Sequence, residues 1–292
     1  MRPRAVHRRR DLLGAARGLR RVPRGPGARR VSQALAGVTC TVEEHVATLT
    51  FTNPRQHGAL TPELLRDLRR ELRVLELKRP LTRVVVLRGG EVFSSGYALD
   101  RFPEPDELAV QDEIEELCQA IERSPLVVIA LLRGVAVGAG LDVAASCDFR
   151  FAERTCRLGI TPAKLGIVYT VQGSSRIHRL VGPDWTRRLF FTGDLVQAEE
   201  ASRFGLVTQA LDSPEEAERE AYALATRIAA RAPLSVAGSK RIIASIESSR
   251  GLPIAQVAEL HELRRAALRS PDCAEARAAF AEKRTPVFTG EE

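Results

Sequence analysis

Gly134-Val-Ala-Val-Gly138-Ala139-Gly140-Leu-Asp142-Val-Ala-Ala-Ser-Cys147-Asp148 is the stretch whose reading decides the fold. It follows an apolar, strand-like run, Leu126 to Leu132, and leads into a helix of small residues. Glycines at a strand-to-helix turn let the backbone come close to a ligand. The N–H groups left over at the start of the helix then face whatever negative charge sits there. A phosphate or a reaction oxyanion fits that arrangement, and a plain packing turn needs the same glycines.

The dinucleotide-binding reading matches only in part. Gly138-Ala-Gly140 is a fragment of G-x-G-x-x-G, with Val143 where the third glycine belongs. The turn lies in mid-chain, and the nearest acid about 20 residues further on, Glu153, falls short of the ribose-binding position. Upstream, Arg83-Val-Val-Val-Leu-Arg88 reads as a buried strand leading to a second glycine loop, Gly89-Gly90-Glu91-Val92-Phe93-Ser94-Ser95-Gly96-Tyr97-Ala98-Leu99. Two such loops, each after a strand, bring two backbone N–H groups within reach of one oxygen.

At this point the chain resembles the crotonase (enoyl-CoA hydratase/isomerase) superfamily. Four segments match it in order: Asn53-Pro54…Ala59-Leu60, Phe93-Ser-Ser-Gly96-Tyr97, the Gly134–Asp148 stretch, and Phe280-Ala-Glu-Lys283-Arg284-Thr-Pro286-Val-Phe288. The resemblance spans roughly residues 38–288. It implies an α/β fold, a crotonase-type β/α spiral core with a C-terminal all-helical trimerisation region. The expected division is a disordered basic leader over 1–37, a core over 38–210 and a helical region over 211–292.

Composition agrees with one such subunit. The 292 residues are 44% hydrophobic, enough for a sizeable core. The net charge of +7 is concentrated in residues 1–37, which hold 11 Arg and one acid; the remainder has 33 basic and 36 acidic residues. The high pI is therefore no argument for a nucleic-acid partner. The leader has no long apolar run, so neither a secretory signal nor a membrane span is expected there. Cytoplasmic localisation is expected, with the mitochondrial matrix as the alternative if the arginine-rich leader is a transit peptide. Five cysteines without close pairs and five scattered histidines indicate no disulfide framework and no metal site.

The pattern along the chain predicts a hairpin over 38–42 and 45–52, a helix over 62–78 and a strand over 83–88. A helix over 107–123, a strand over 126–132, a helix over 139–146 and a strand over 148–152 follow. Past Pro183 the pattern is almost all helical: 184–191, 197–203, 214–231, 234–248, 254–268 and 272–282, with Leu206–Ala210 as an interruption.

The chemistry that the resemblance implies starts from a thioester whose α-carbon becomes a carbanion only when charge moves to the carbonyl oxygen. Two backbone donors hold that enolate oxygen. Position by position the family places them at Tyr97 and Ala139, with Gly96, Gly138 and Gly140 shaping the substrate-binding loops. The family's usual middle glycine is Ala139 here. Of the two hydratase glutamates, the first aligns with Asp142 and the second with Pro162, so the ordinary two-carboxylate hydration set is incomplete. Asp142 reads either as a catalytic acid or as an acid complementing the helix dipole.

A narrower resemblance, Thr161-Pro162-Ala-Lys-Leu-Gly166-Ile-Val-Tyr169 together with Phe93-Ser-Ser-Gly96, is to the methylmalonyl-CoA decarboxylase branch. It implies Tyr169 orienting a substrate carboxylate, Thr161 supporting it, and the Tyr97 ring lining the acyl pocket. Tyr169 also reads as an ordinary half-buried loop tyrosine. Arg55 and Arg101 are candidates to hold the CoA phosphates. Lys283 and Phe288 resemble residues that approach CoA from a neighbouring subunit, in a homotrimer or dimer of trimers. No cofactor is implied, since coenzyme A is part of the acyl-CoA substrate. The expected activity is thus that of a carbon-carbon or carbon-oxygen lyase, decarboxylating a (methyl)malonyl-CoA-type substrate. The alternatives are an atypical hydratase/isomerase using Asp142 and a non-catalytic acyl-CoA-binding paralogue; a nicotinamide oxidoreductase fits least.

Overall fold

The expected hairpin forms from β1 (Gly37–Glu43) and β2 (Val46–Thr52), antiparallel and closed at Glu44, whose φ is 51°. From β2 onward the main sheet grows in parallel through β3 (Val84–Arg88), β4 (Val127–Leu132), β6 (Phe149–Glu153) and β9 (Gln209–Leu211), in the order β1-β2-β3-β4-β6-β9. Parallel strands covered on both faces read as unbroken apolar runs, as Val84–Leu87 and all of β4 do. This computed structural model describes residues 36–101, 109–248, 259, 262 and 266–291. Residues 1–35 of the expected leader, and most of the expected helix 254–268, lie outside the described residues.

One face of the sheet carries α1 (Pro62–Leu77), α2 (Ala109–Arg123) and α3 (Ala139–Ser146). Thr61 caps α1 by accepting from Leu64 N, and Pro62 opens it. Leu64, Leu65, Leu68, Leu72 and Leu75 form its buried stripe, each contributing about 1.5–3 kcal/mol. The other face is covered by α7 (Pro214–Ala229), whose Ala217, Ala221, Ala225 and Ala229 lie at four-residue spacing against Val84, Val86, Ile129 and Phe151. Thus α7, expected in the helical region, packs directly on the sheet, and Leu35–Glu292 forms one unit.

The structure departs from the sequence pattern in three places. A second, three-stranded sheet of β5 (Val135–Val137), β7 (Arg157–Gly159) and β8 (Val196–Gln197) has strands too short to show a period. The interruption at Leu206–Ala210 proves to lead into β9, the last strand of the main sheet. A short α4 (Pro162–Leu165) is followed by α5 (Val171–Thr192), which begins 13 residues before the expected 184. It is two helical segments meeting at Gly182 (φ 72°, ψ 178°), with Pro183 opening the second; only that second half was legible.

Further helices among the described residues include α6 (Ala198–Arg203), α8 (Pro233–Ser248) and α9 (Pro271–Glu282). Lys240 joins α8 to the core. Its ammonium donates to Ile121 O (3.1 Å), Leu126 O (2.8 Å) and Asp148 Oδ2 (2.7 Å), which uses all three protons. The C-terminal segment is fastened by Arg83, which donates to Ala229 O and Phe288 O, and by Asp272, which accepts from Thr289 N and Gly290 N.

Candidate active site

The two glycine loops leave the C-terminal ends of β3 and β4 and are held together by the backbone. Phe93 N and Ser94 N donate to Arg133 O and Val135 O, and Val137 N donates back to Ser94 O. On the other side, Leu60 N donates to Gly96 O (2.8 Å) and accepts at its own carbonyl from Ala98 N (2.9 Å). That parallel register turns the Tyr97 N–H away from Leu60, towards the side on which β5 and α3 lie. The Asn53-Pro54…Ala59-Leu60 motif supplies this partner. Asn53 is buried, and its side-chain amide donates to Ala59 O, fixing the turn that presents Leu60.

The glycines are needed for different reasons. Gly138 caps α3 at φ 54°, ψ −123°, a conformation closed to residues with a Cβ. Gly140 is needed for closeness: a Cβ there would lie 2.5 Å from Ser94 Cβ and 2.7 Å from Ser94 Oγ. This contact locks the second loop onto the first. Ala139, 7% exposed, is the first residue of α3, so its N–H has no carbonyl partner within the helix. Backbone donors at Tyr97 and Ala139, on two loops held in contact, are an arrangement able to stabilise an oxyanion.

Around the start of α3 the structure gathers most of the side chains singled out in the sequence. Thr161 follows β7, its Oγ1 4.0 Å from where a Gly138 Cβ would stand. The Tyr169 hydroxyl lies 3.3 Å from Gly138 O and within hydrogen-bonding reach of the Asp142 carboxylate, while its ring packs edge-on against Phe190. Burial pushes the Tyr169 phenol well above its ordinary value, and the Asp142 charge adds to this. Burial likewise pushes Tyr97 up to about 12, helped by Glu113 and Glu63.

Asp142 is the residue whose surroundings the sequence did not announce. It is 2% exposed, and its Oδ1 accepts from Arg176 Nη1 at 2.5 Å. Burial raises its pKa from the usual aspartate value, against the pull of Arg176 and the Tyr169 hydroxyl. Arg176, equally buried, also donates to Glu122 (2.9 Å) and Glu115 (3.2 and 3.3 Å) on α2. It lies 34 residues from Asp142 on another helix, in a chain rich in arginine, and so carries no local signal.

Arg55 and Arg101 sit on exposed short turns beside the first loop, turns joined by a Gln56–Asp100 hydrogen bond. Phe288 is not brought to this site within the chain. The Phe288 carbonyl accepts from Arg83, just before β3, at the end of that strand opposite the glycine loops. Among the described residues no group of three His, Cys, Asp or Glu is placed to hold a metal ion, and no helix is long and apolar enough to cross a membrane.

Known proteins show the same plan. The Enoyl-CoA hydratase/isomerase family model matches residues 41–291. The chain belongs to that family. Enoyl-CoA isomerase/hydratase fer4 of Mycosarcoma maydis is 32% identical over 257 residues, covering 83% of this chain and 92% of the relative. Methylmalonyl-CoA decarboxylase of Escherichia coli is 28% identical, covering 84% and 95%. Among solved structures, an enoyl-CoA hydratase from Bacillus anthracis superposes with a TM-score of 0.79 at 29% identity, covering 87% of this chain and 99% of that one. As an enoyl-CoA hydratase/isomerase family member, the protein has the α/β crotonase fold that its motifs implied.

Proposed function

We propose that the protein generates a thioester enolate by decarboxylating a malonyl- or methylmalonyl-CoA-type substrate. The observation that carries this reading is the fate of the two hydration carboxylates: Pro162 stands at one position, and the carboxylate at the other, Asp142, is engaged by Arg176. Decarboxylation needs no general base. The bond between the α-carbon and the carboxylate breaks, CO2 leaves, and the electron pair passes through the α-carbon to the thioester oxygen. The N–H groups of Tyr97 and Ala139 receive that oxyanion. Tyr169 and Thr161, beside Gly138, hold the departing carboxylate out of the thioester plane, and a proton then adds to the α-carbon. Coenzyme A enters as part of the substrate, with Arg55 and Arg101 at its phosphates. Lys283 and Phe288 contribute only from a neighbouring subunit of a trimer or a pair of trimers.

Hydration is the competing reading, favoured by the names of most relatives and by Glu113. Among the described residues one oxygen of that carboxylate is buried without a hydrogen-bond partner, and its charge bears on Tyr97. Following CO2 release from methylmalonyl- and malonyl-CoA beside loss of enoyl absorbance from crotonyl-CoA separates the two. CO2 release that falls about 10–100-fold in Tyr169→Phe, the loss of one hydrogen bond to a charged group, supports decarboxylation. Crotonyl-CoA hydration that survives Tyr169→Phe and is lost in Glu113→Gln overturns it.

A further inference from the structure

The Arg176–Asp142 pair is built into the site and is not a surface ion pair. Both side chains are 3% exposed. Every nitrogen of the guanidinium is used, Nε on Glu122, Nη1 on Asp142 and Nη2 on Glu115 with a longer contact to Glu122. The other oxygen of Asp142 lies beside the Tyr169 ring at the first turn of α5. A Cβ on Gly173 would fall 2.6 Å from Asp142 Oδ2 and 2.5 Å from Tyr169 Cε1. Glycine at 173 thus leaves room for a carboxylate and a phenol side by side, with the arginine behind them.

We propose that Arg176 is a positioning residue that acts through Asp142 to hold the Tyr169 hydroxyl as a donor towards the substrate carboxylate. This rests on the decarboxylation reading above. The phenol has one proton and three claimants: Asp142, Gly138 O and the substrate. A buried carboxylate without a counter-charge is a strong acceptor and would keep that proton, or would itself become protonated and donate to the phenol oxygen. Neutralised by Arg176, Asp142 stays ionised, orients the hydroxyl and releases its proton to a better-placed anion. The groups facing Asp142 are Arg176 on α5, Tyr169 ahead of it, and Glu115 and Cys118 on α2, with Glu122 and Arg179 completing the ion network. Arg176 is the cation that touches Asp142.

The test compares Arg176→Gln, Arg176→Lys and Arg176→Gln/Asp142→Asn with the unaltered protein, by melting from pH 5 to 8 and by kcat and KM for CO2 release across the same range. Burial already makes Asp142 bind its proton more tightly folded than unfolded, and loss of the cation strengthens this, so the fall of stability with rising pH through and above the aspartate range becomes steeper. Arg176→Gln is expected to melt roughly 10 °C lower at pH 8, and Asp142→Asn in that background to recover part of the loss and flatten its pH slope. In Arg176→Gln kcat is expected to fall about 50-fold with KM within about threefold, the acidic limb of the profile moving to higher pH. The double variant, although restabilised, keeps the low kcat, and Arg176→Lys returns to within about fivefold of the original.

Identical melts for the single and double variants at every pH overturn the proposal. So does a double variant whose kcat recovers in step with its melting temperature, since the pair is then structural only. Should Arg176→Gln fail to fold, the double variant and Arg176→Lys carry the comparison. A protein that releases no CO2 but turns over crotonyl-CoA overturns the decarboxylation reading and with it the role of Tyr169 towards a substrate carboxylate, which crotonyl-CoA lacks, while the melts still report the Arg176–Asp142 pair. A protein inert on both overturns the positioning role as well.

Discussion

Gly140→Ala leaves the protein folded and lowers kcat on its CoA thioester by about 10³-fold, the largest catalytic loss expected from one methyl group in this chain. The new Cβ meets Ser94 Cβ and Oγ at 2.5 and 2.7 Å, and Ser94 is wholly buried, with a side chain too short to swing aside. The start of α3 must therefore back away from the first loop. Stability falls by only about 1–3 kcal/mol, the usual effect of overpacking. Catalysis suffers more, because the proposed donors at Tyr97 and Ala139 belong to the two loops being separated, and a misplaced donor loses most of its value. Combining Gly140→Ala with Ser94→Gly removes the side-chain obstruction and recovers at least tenfold of the lost rate. A single variant with unaltered kcat, measured beside its melting temperature, would show that the contact between the loops does not set the donors.

A large stability loss far from the site is expected from Lys240→Met. Its ammonium closes the end of α2 through Ile121 O, reaches Leu126 O at the entry to β4, and pairs with Asp148, whose Oδ2 also accepts from Val128 N. The substitution leaves a carboxylate and two carbonyls without that donor in a part-buried setting, at about 3–5 kcal/mol, or roughly 10 °C in melting temperature. Lys164→Met provides the contrast. Lys164 pairs with Asp194 at 3.5 Å with both side chains more than half exposed, and its loss should move the midpoint hardly at all. Equal shifts for the two variants would mean that Lys240 does not fasten α8 to the core.

The glycine loops were legible because their chemistry is local: a buried strand, a glycine of forced φ and a helix start lie within a dozen residues of one another. The same holds for α1, whose five leucines recur at helical spacing. Arg176 was illegible because an ion pair across 34 residues leaves no periodic trace. Strands β5, β7 and β8 were missed because two or three residues cannot display an alternation, and their register comes from the loops they brace. The first half of α5, Val171–Val181, carries no clear helix signal because Gly173, Ser174 and Ser175 are weak helix formers; tertiary contacts around Tyr169 and Asp142 hold it in place. Reading Asp142 from the sequence left two roles open, and its neighbours supply a third, that of a carboxylate shared between an arginine and a phenol.

The four lysines of the chain also form a native labelling pattern. Lys78, Lys164 and Lys283 are exposed, while the Lys240 side chain is 9% exposed and donates all its protons. An amine-acylating reagent at neutral pH should therefore mark the first three within minutes and leave Lys240 untouched until α8 lifts from the sheet. The mass of one tryptic peptide would then count, molecule by molecule, how often the helical end of this protein lets go of its core.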